Sequence, residues 1–148
     1  MDVTASVRPE AAPEALFAVV GDLSRYPEWL SIVPRAVAVE AAHDDPGPAW
    51  SVDLRAAIGP LRRSKRLRMV RTDHDDPTGV RFERRERDGR SHSPWVLDAR
   101  VDPSADGSDL TMHLHYGGSL WVPMLDRLLA DEIERSRPRL LRLLGSDA

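Results

Sequence analysis

Cysteine, asparagine and glutamine are absent from this chain, and Lys65 is the single lysine among its 21 basic residues. Without cysteine there are no disulfides, no thiolate catalysis and no cysteine-based zinc sites. The bias toward arginine is what GC-rich coding produces, and it carries no functional weight. No apolar run approaches the ~18 residues that cross a bilayer, and no charged-then-apolar leader opens the sequence. The expectation is therefore a cytoplasmic protein that does not span a membrane. Aromatic residues are also scarce, at four Trp, two Tyr and two Phe.

What is present fits one domain over residues 1–148, with neither repeat nor linker. A chain of this length buries roughly 68–70% of the surface it would expose unfolded, enough for a core with room for a cavity. The net charge of −3 argues against general affinity for nucleic acid. Arginines nevertheless crowd the middle of the chain, from Arg55 to Arg90. Asp53, Asp73, Glu83, Glu86 and Asp88 are interleaved with them, and only Phe82 is there to stack a base. Cross-strand ion pairs on a solvated sheet face account for this pattern more simply than phosphate binding does.

Val3, Ala5 and Val7 alternate with polar residues, the period of a half-buried strand. Pro13 suits a first helical turn, Leu16, Phe17, Val19 and Val20 supply an apolar face, and Gly21 closes that helix. A second short helix follows, for which Ser24 is the better cap because it keeps Pro27 among the N–H groups without helical partners. Strands and turns then run from Ile32 to Gly118. Val37 and Val39 begin the run, Trp50, Val52 and Leu54 alternate with Ser51, Asp53 and Arg55, and a strand extends from Leu61 to Thr72. Asp88-Gly89 is the strongest hairpin signal. Trp95, Leu97, Ala99 and Val101 form one inward row, and Leu110, Met112, Leu114 and Tyr116 the last. Short turns between successive strands predict an antiparallel meander with one dry face and one wet face.

A long amphipathic helix from about Pro123 to Leu144 closes the chain, with Gly145 just past its end. At 100° per residue, Leu125, Leu128, Leu129, Leu140 and Leu143 share an arc that Glu132 and Ser136 bisect. A carboxylate centred on an apolar stripe must meet a partner, water or a ligand. Pro138 removes the hydrogen bond to residue 134 and should kink the helix.

Several of these segments together resemble the START-related, or SRPBCC, superfamily of helix-grip proteins, and within it the polyketide cyclase/dehydrase-like and coenzyme-Q-binding-protein-like group. The resemblance spans nearly the whole chain. It rests on the Pro13–Val20 helix, the stretch from Asp22 through Arg25-Tyr26-Pro27-Glu28-Trp29, the Gly117-Gly118 ending of the last strand, and Asp131-Glu132-Ile133-Glu134-Arg135 in the closing helix. It implies an α+β fold in which a curved, seven-stranded antiparallel sheet wraps the C-terminal helix, with two short helices after the first strand and an internal apolar cavity. It also implies binding of a lipid, quinone or polyketide-like molecule, with catalysis in some members, and supplies no fixed catalytic set.

Glu132 is the first candidate for a polar determinant of the cavity, either binding a ligand or moving a proton with a pKa raised by burial; the alternative is a structural pair with an inward arginine. Leu54, Trp50, Trp95, Met112, Leu128, Ser136 and Phe82 are the other expected lining residues, and the Tyr116 hydroxyl is a second candidate for proton transfer. Trp29 and Trp121 read as packing anchors. Arg63 and Lys65 share a side with Leu67 and Met69, and Arg84 with Phe82, so all three face the cavity or its rim unless a bulge reverses them. His113 and His115 point to one face, but their parity opposes Met112 and Leu114, which makes them solvated surface and not a metal site. Neither metal nor cofactor is expected, and the common catalytic motifs are missing.

Three functions follow. The leading one is a non-catalytic binder or carrier of a small hydrophobic molecule. The second is a cyclase or aromatase in which Glu132 or Tyr116 transfers a proton. The third is an interaction module whose arginine-rich sheet face meets a protein or RNA.

Overall fold

The structure, a computed structural model, describes residues 2–58, 61–117 and 122–147. Strand β1 (Asp2–Val7) leads into helix α1 (Pro13–Val20) and a 3₁₀ helix (Leu23–Glu28); β2 (Arg35–Val39), β3 (Ala49–Ile58), β4 (Leu61–Asp75), β5 (Gly79–Arg84), β6 (Trp95–Ser104), β7 (Gly107–Tyr116) and helix α2 (Val122–Asp147) follow. The strands form one antiparallel sheet in the order β1-β7-β6-β5-β4-β3-β2. β1 and β2 are therefore its two edges. The two short helices carry the chain from one edge to the other, and α2 packs against β1, β3 and both short helices.

Alternation puts one row of each strand into the core. Val52, Leu67, Met69, Val80, Phe82, Ala99, Val101 and Leu110 are buried, with Leu16, Phe17, Val19 and Val20 of α1 against them. β2 departs from this: Ala36 is its buried residue, and Val37 and Val39 are exposed on the edge strand. The charged row of the sheet pairs in register. Asp53 lies opposite both Arg35 and Arg66, and Arg81 opposite Asp98, with Arg–Asp distances of 3.6, 2.7 and 2.7 Å. A shift in register between Arg71 and Asp73 lets β4 continue to Asp75, past the Thr72 end expected from alternation.

Gly21 does end α1, but with φ −82° and not in the left-handed region. It is glycine because a Cβ there would lie 2.8 Å from the Phe17 carbonyl oxygen that its own N–H meets. Gly107, at φ +149°, needs glycine twice over: a Cβ would stand 2.4 Å from the Pro9 oxygen. The adjacent Ser108 fastens the same segment, its amide to Pro9 O and its hydroxyl to Ala11 O at 2.6 Å.

Three local expectations are corrected. Asp22, not Ser24, caps the second helix, because its carboxylate accepts both the amide (3.0 Å) and the hydroxyl (2.6 Å) of Ser24. Pro27 is accordingly inside the helix, whose end is held by Trp29 and Leu30 amides on the Tyr26 carbonyl. Asp88-Gly89 does not form a tight hairpin; it lies within the connection of residues 85–94. No apolar alternation runs through that stretch to fill paired strands, and Asp88 spends its carboxylate on the Arg90 amide and the His92 ring. Gly145 lies inside α2, which runs to Asp147 and is helical on both sides of Pro138. Among the described residues, no helix is long and apolar enough to cross a membrane.

Candidate functional site

A cavity of about 110 Å³ lies between the sheet and α2. β1 contributes Val3, Ala5 and Val7, and β7 contributes Leu110, Met112 and Leu114, which sit opposite them in register. Trp95 and Leu97 of β6, Leu67 and Met69 of β4, and Val52 and Leu54 of β3 continue the wall. Leu23, Tyr26, Trp29, Leu30, Ile32 and Val33 close one side, and α2 covers the space with Ile133, Ser136, Arg137 and Leu140. The lining is almost wholly apolar.

Of the expected residues, Leu54, Trp95, Met112 and Ser136 line this space. Trp50 and Phe82 do not. They meet edge to face at 5.5 Å, and Phe82 in turn meets Tyr26, so both stand behind the tyrosine that forms the wall. Tyr116 is buried but also outside the lining, stacked at 5.3 Å on Trp95, its partner across β6 and β7. Lys65 lies opposite Leu54, and Arg84 opposite Met69, so the bulge falls beyond them and both keep the inward parity. They stop at the rim. Lys65 places Nζ 5.9 Å from the Trp95 ring centroid, and burial together with the neighbouring Arg84 lowers its pKa, which Glu86 partly offsets. Arg84 is held by Glu86 at 3.0 Å and by the Ser93 carbonyl. The side chains of Arg63, Leu128 and Trp121 lie outside the described residues.

Glu132 is the main correction of geometry. Its carboxylate accepts from the Ser31 hydroxyl and lies 3.4 Å from Arg135, while Arg139 donates to Ser31 Oγ. It is not in the cavity wall. The inward stripe of α2 is Ile133, Ser136, Arg137, Leu140 and Leu144, which at 100° per residue is turned by roughly 60° from the arc that the leucines alone suggest. That rotation leaves the carboxylate at the helix edge, where partners are within reach, and brings in Ile133 and Arg137; Ser136 stays within the stripe, its hydroxyl donating to the Ile133 carbonyl at 2.7 Å.

Two polar lining residues escape the sequence pattern. Trp29 reads there as a packing anchor, and nothing in the sequence singles out Arg137. Their Nε1–H and Nε–H are buried without a hydrogen-bond partner among the described residues, as is Nε1–H of Trp95. Arg137 meets Glu134 through Nη2 at 3.0 Å. The lining hydroxyl of Tyr26 donates to the Val20 carbonyl at 2.8 Å, and burial drives its pKa far above the usual tyrosine range. His113 and His115 both bond Asp2 on the outer face, at 3.0 and 3.1 Å. No cluster of metal-ligating side chains occurs among the described residues.

This geometry has many structural counterparts. A START superfamily protein from Mycobacterium smegmatis superposes with a TM-score of 0.75 at 16% identity, covering 99% of each chain. A protein from Thermus thermophilus gives 0.69 at 19% identity over 99% of this chain and 96% of that one. One from Chromobacterium violaceum gives 0.67 at 14% identity over 97% and 96%. No curated protein matches the chain. Residues 1–144 match the family described as polyketide cyclase / dehydrase and lipid transport, and the chain belongs to that family, with the helix-grip fold of the START-related superfamily.

Proposed function

We propose that the protein binds a small hydrophobic molecule in the cavity between the sheet and α2, and carries or presents it without altering it. The observation that supports this is the lining: apolar residues from five strands and both flanking helical segments surround about 110 Å³. Engineered apolar cavities of ~150 Å³ stay dry and take up a benzene ring, so the space suits a ring-sized apolar body. Proton transfer demands a positioned acid or base. No Asp, Glu or His is among the described lining residues, the Tyr26 proton is committed to Val20, and Glu132 and Tyr116 are outside the wall. The cyclase reading is therefore the weaker one. The interaction module is weaker still, because Arg35, Arg66 and Arg81 already have carboxylate partners on the sheet.

Native mass spectrometry of the purified protein, followed by extraction and identification of what is bound, tests the proposal. A co-purifying or readily reloaded lipophile, released chemically unchanged, is the expected result. A protein that takes up no apolar molecule, or that returns one converted, overturns it.

A further inference from the structure

The two edges of the sheet are finished differently. At β1 the outward row is polar, Asp2 is held by His113 and His115, and α2 packs along the strand. β2 has no such cover. Ala36 is buried, but Val37, Ala38, Val39 and Glu40 are exposed in succession. Val37 and Val39, at 46% and 39%, are two of the three large hydrophobic residues exposed among those described. Ala38 has the inward parity of Ala36, since it pairs with Trp50, so the strand is open on both faces beyond Ala36. Its five residues pair with β3 without a shift of register, and among the described residues no backbone hydrogen bond reaches its other side. Edge strands are commonly blunted by lysine, proline, a bulge or a covering element. The stretch from Val37 to Val39 has none of these.

We infer that β2 pairs antiparallel with β2 of a second copy of this chain, joining the two sheets into one across a two-fold axis at Ala38. The charges select that partner and that direction. Arg35 opens the strand and Glu40 lies just past its end, with four neutral residues between them. Antiparallel pairing brings Arg35 of each copy within one position of Glu40 of the other, at both ends of the seam, whereas parallel pairing sets like charges together. An axis normal to the sheet keeps the outer faces on one side and makes every contact twice. Val37 of each copy then lies opposite Val39 of the other, and the four valines form one strip beside Ser51 and Ala49 of the two β3 strands. The edge N–H and C=O groups gain backbone partners. Arg35 leaves the seam clear, because its guanidinium is turned along the sheet to Ser51 Oγ at 3.0 Å and to Asp53 at 3.6 Å. This interface lies outside the cavity and stands or falls apart from what the cavity binds.

Sedimentation velocity over a concentration series, with amide hydrogen exchange at its two ends, makes the test. The protein should pass from one chain per particle to two, and amides in β2 should be better protected in the dimer. Val37→Lys with Val39→Lys sets lysine against lysine at both valine contacts and should weaken self-association about tenfold or more. Val37→Lys with Val39→Glu sets opposite charges at the same contacts and should restore the dimer. These substitutions fall on exposed side chains, and circular dichroism checks the fold of each variant. Should either variant misfold, the exchange protection of the unsubstituted protein decides. A chain that stays monomeric at every concentration, a dimer without added protection in β2, or a Lys/Glu variant that associates no better than the Lys/Lys one overturns the inference.

Discussion

Asp45 sits in the turn between β2 and β3 with a side chain only 2% exposed. Its carboxylate accepts from Arg68 of β4 at 2.6 Å and from the Ala42 amide at 2.7 Å, and Arg68 also donates to the carbonyls of Arg85 and Glu40. One guanidinium thus ties two connections, residues 40–48 and 85–94, to β4. Asp45→Ala should cost about 1.5–3 kcal/mol in urea unfolding at pH 7, the range for hydrogen bonds to charged groups. Arg68 holds the Asp45 carboxyl below the usual range, and Arg66 does the same for Asp53. Because the folded pKa is lowered, this stability is full above the unfolded value of about 3.9 and is lost as the pH falls through the folded one. The Asp45→Ala deficit should therefore shrink between pH 5 and pH 3, and a constant deficit over that range would refute the linkage. Tyr26 is a different case, a neutral bond in full burial. Tyr26→Phe should lower stability by about 1–2 kcal/mol by leaving the Val20 carbonyl unpaired, with thermal unfolding as the measurement.

At the scale of elements, α2 is the piece whose orientation decides the site. Its leucines repeat at helical spacing, but a 3.6-residue period fixes only the relative angles of side chains and leaves the rotation of the whole helix to its surroundings. Ser31 and Glu132, 101 residues apart, meet at the helix edge, and Leu140 and Leu144 are the residues buried as a result. Glu132 is thus held between α2 and the segment after the 3₁₀ helix. Glu132→Ala should destabilise by about 1–2 kcal/mol and leave the affinity for a small apolar probe such as benzene within about twofold. A large loss of affinity in a variant of unchanged stability would return Glu132 to the ligand site. The strand elements were easier to read. Trp95, Leu97, Met112 and Leu114 face inward as alternation requires, and Asp53–Arg66 and Arg81–Asp98 pair directly across strands.

For the whole molecule, the unfilled space is a choice against stability. A cavity forgoes the contacts that side chains would make across it. Ala5 of β1 faces it beside Met112 of β7, so Ala5→Leu should raise thermal stability, by about 1 kcal/mol for the apolar surface newly buried, while weakening binding of any apolar probe at least severalfold. Stability and uptake that fell together would point to overpacking instead. Sequence alone determined the strand rows, the α+β order and the apolar character of the interior, because each depends on residues two to four apart. Tertiary structure alone decided which side of α2 faces inward, that Trp29 and Arg137 reach the cavity, that Glu132 does not, and that residues 85–94 form a long connection. Each of these depends on partners brought together from distant parts of the chain, and the free energy of pairing or burying a polar group there outweighs the local preference that sequence periodicity records.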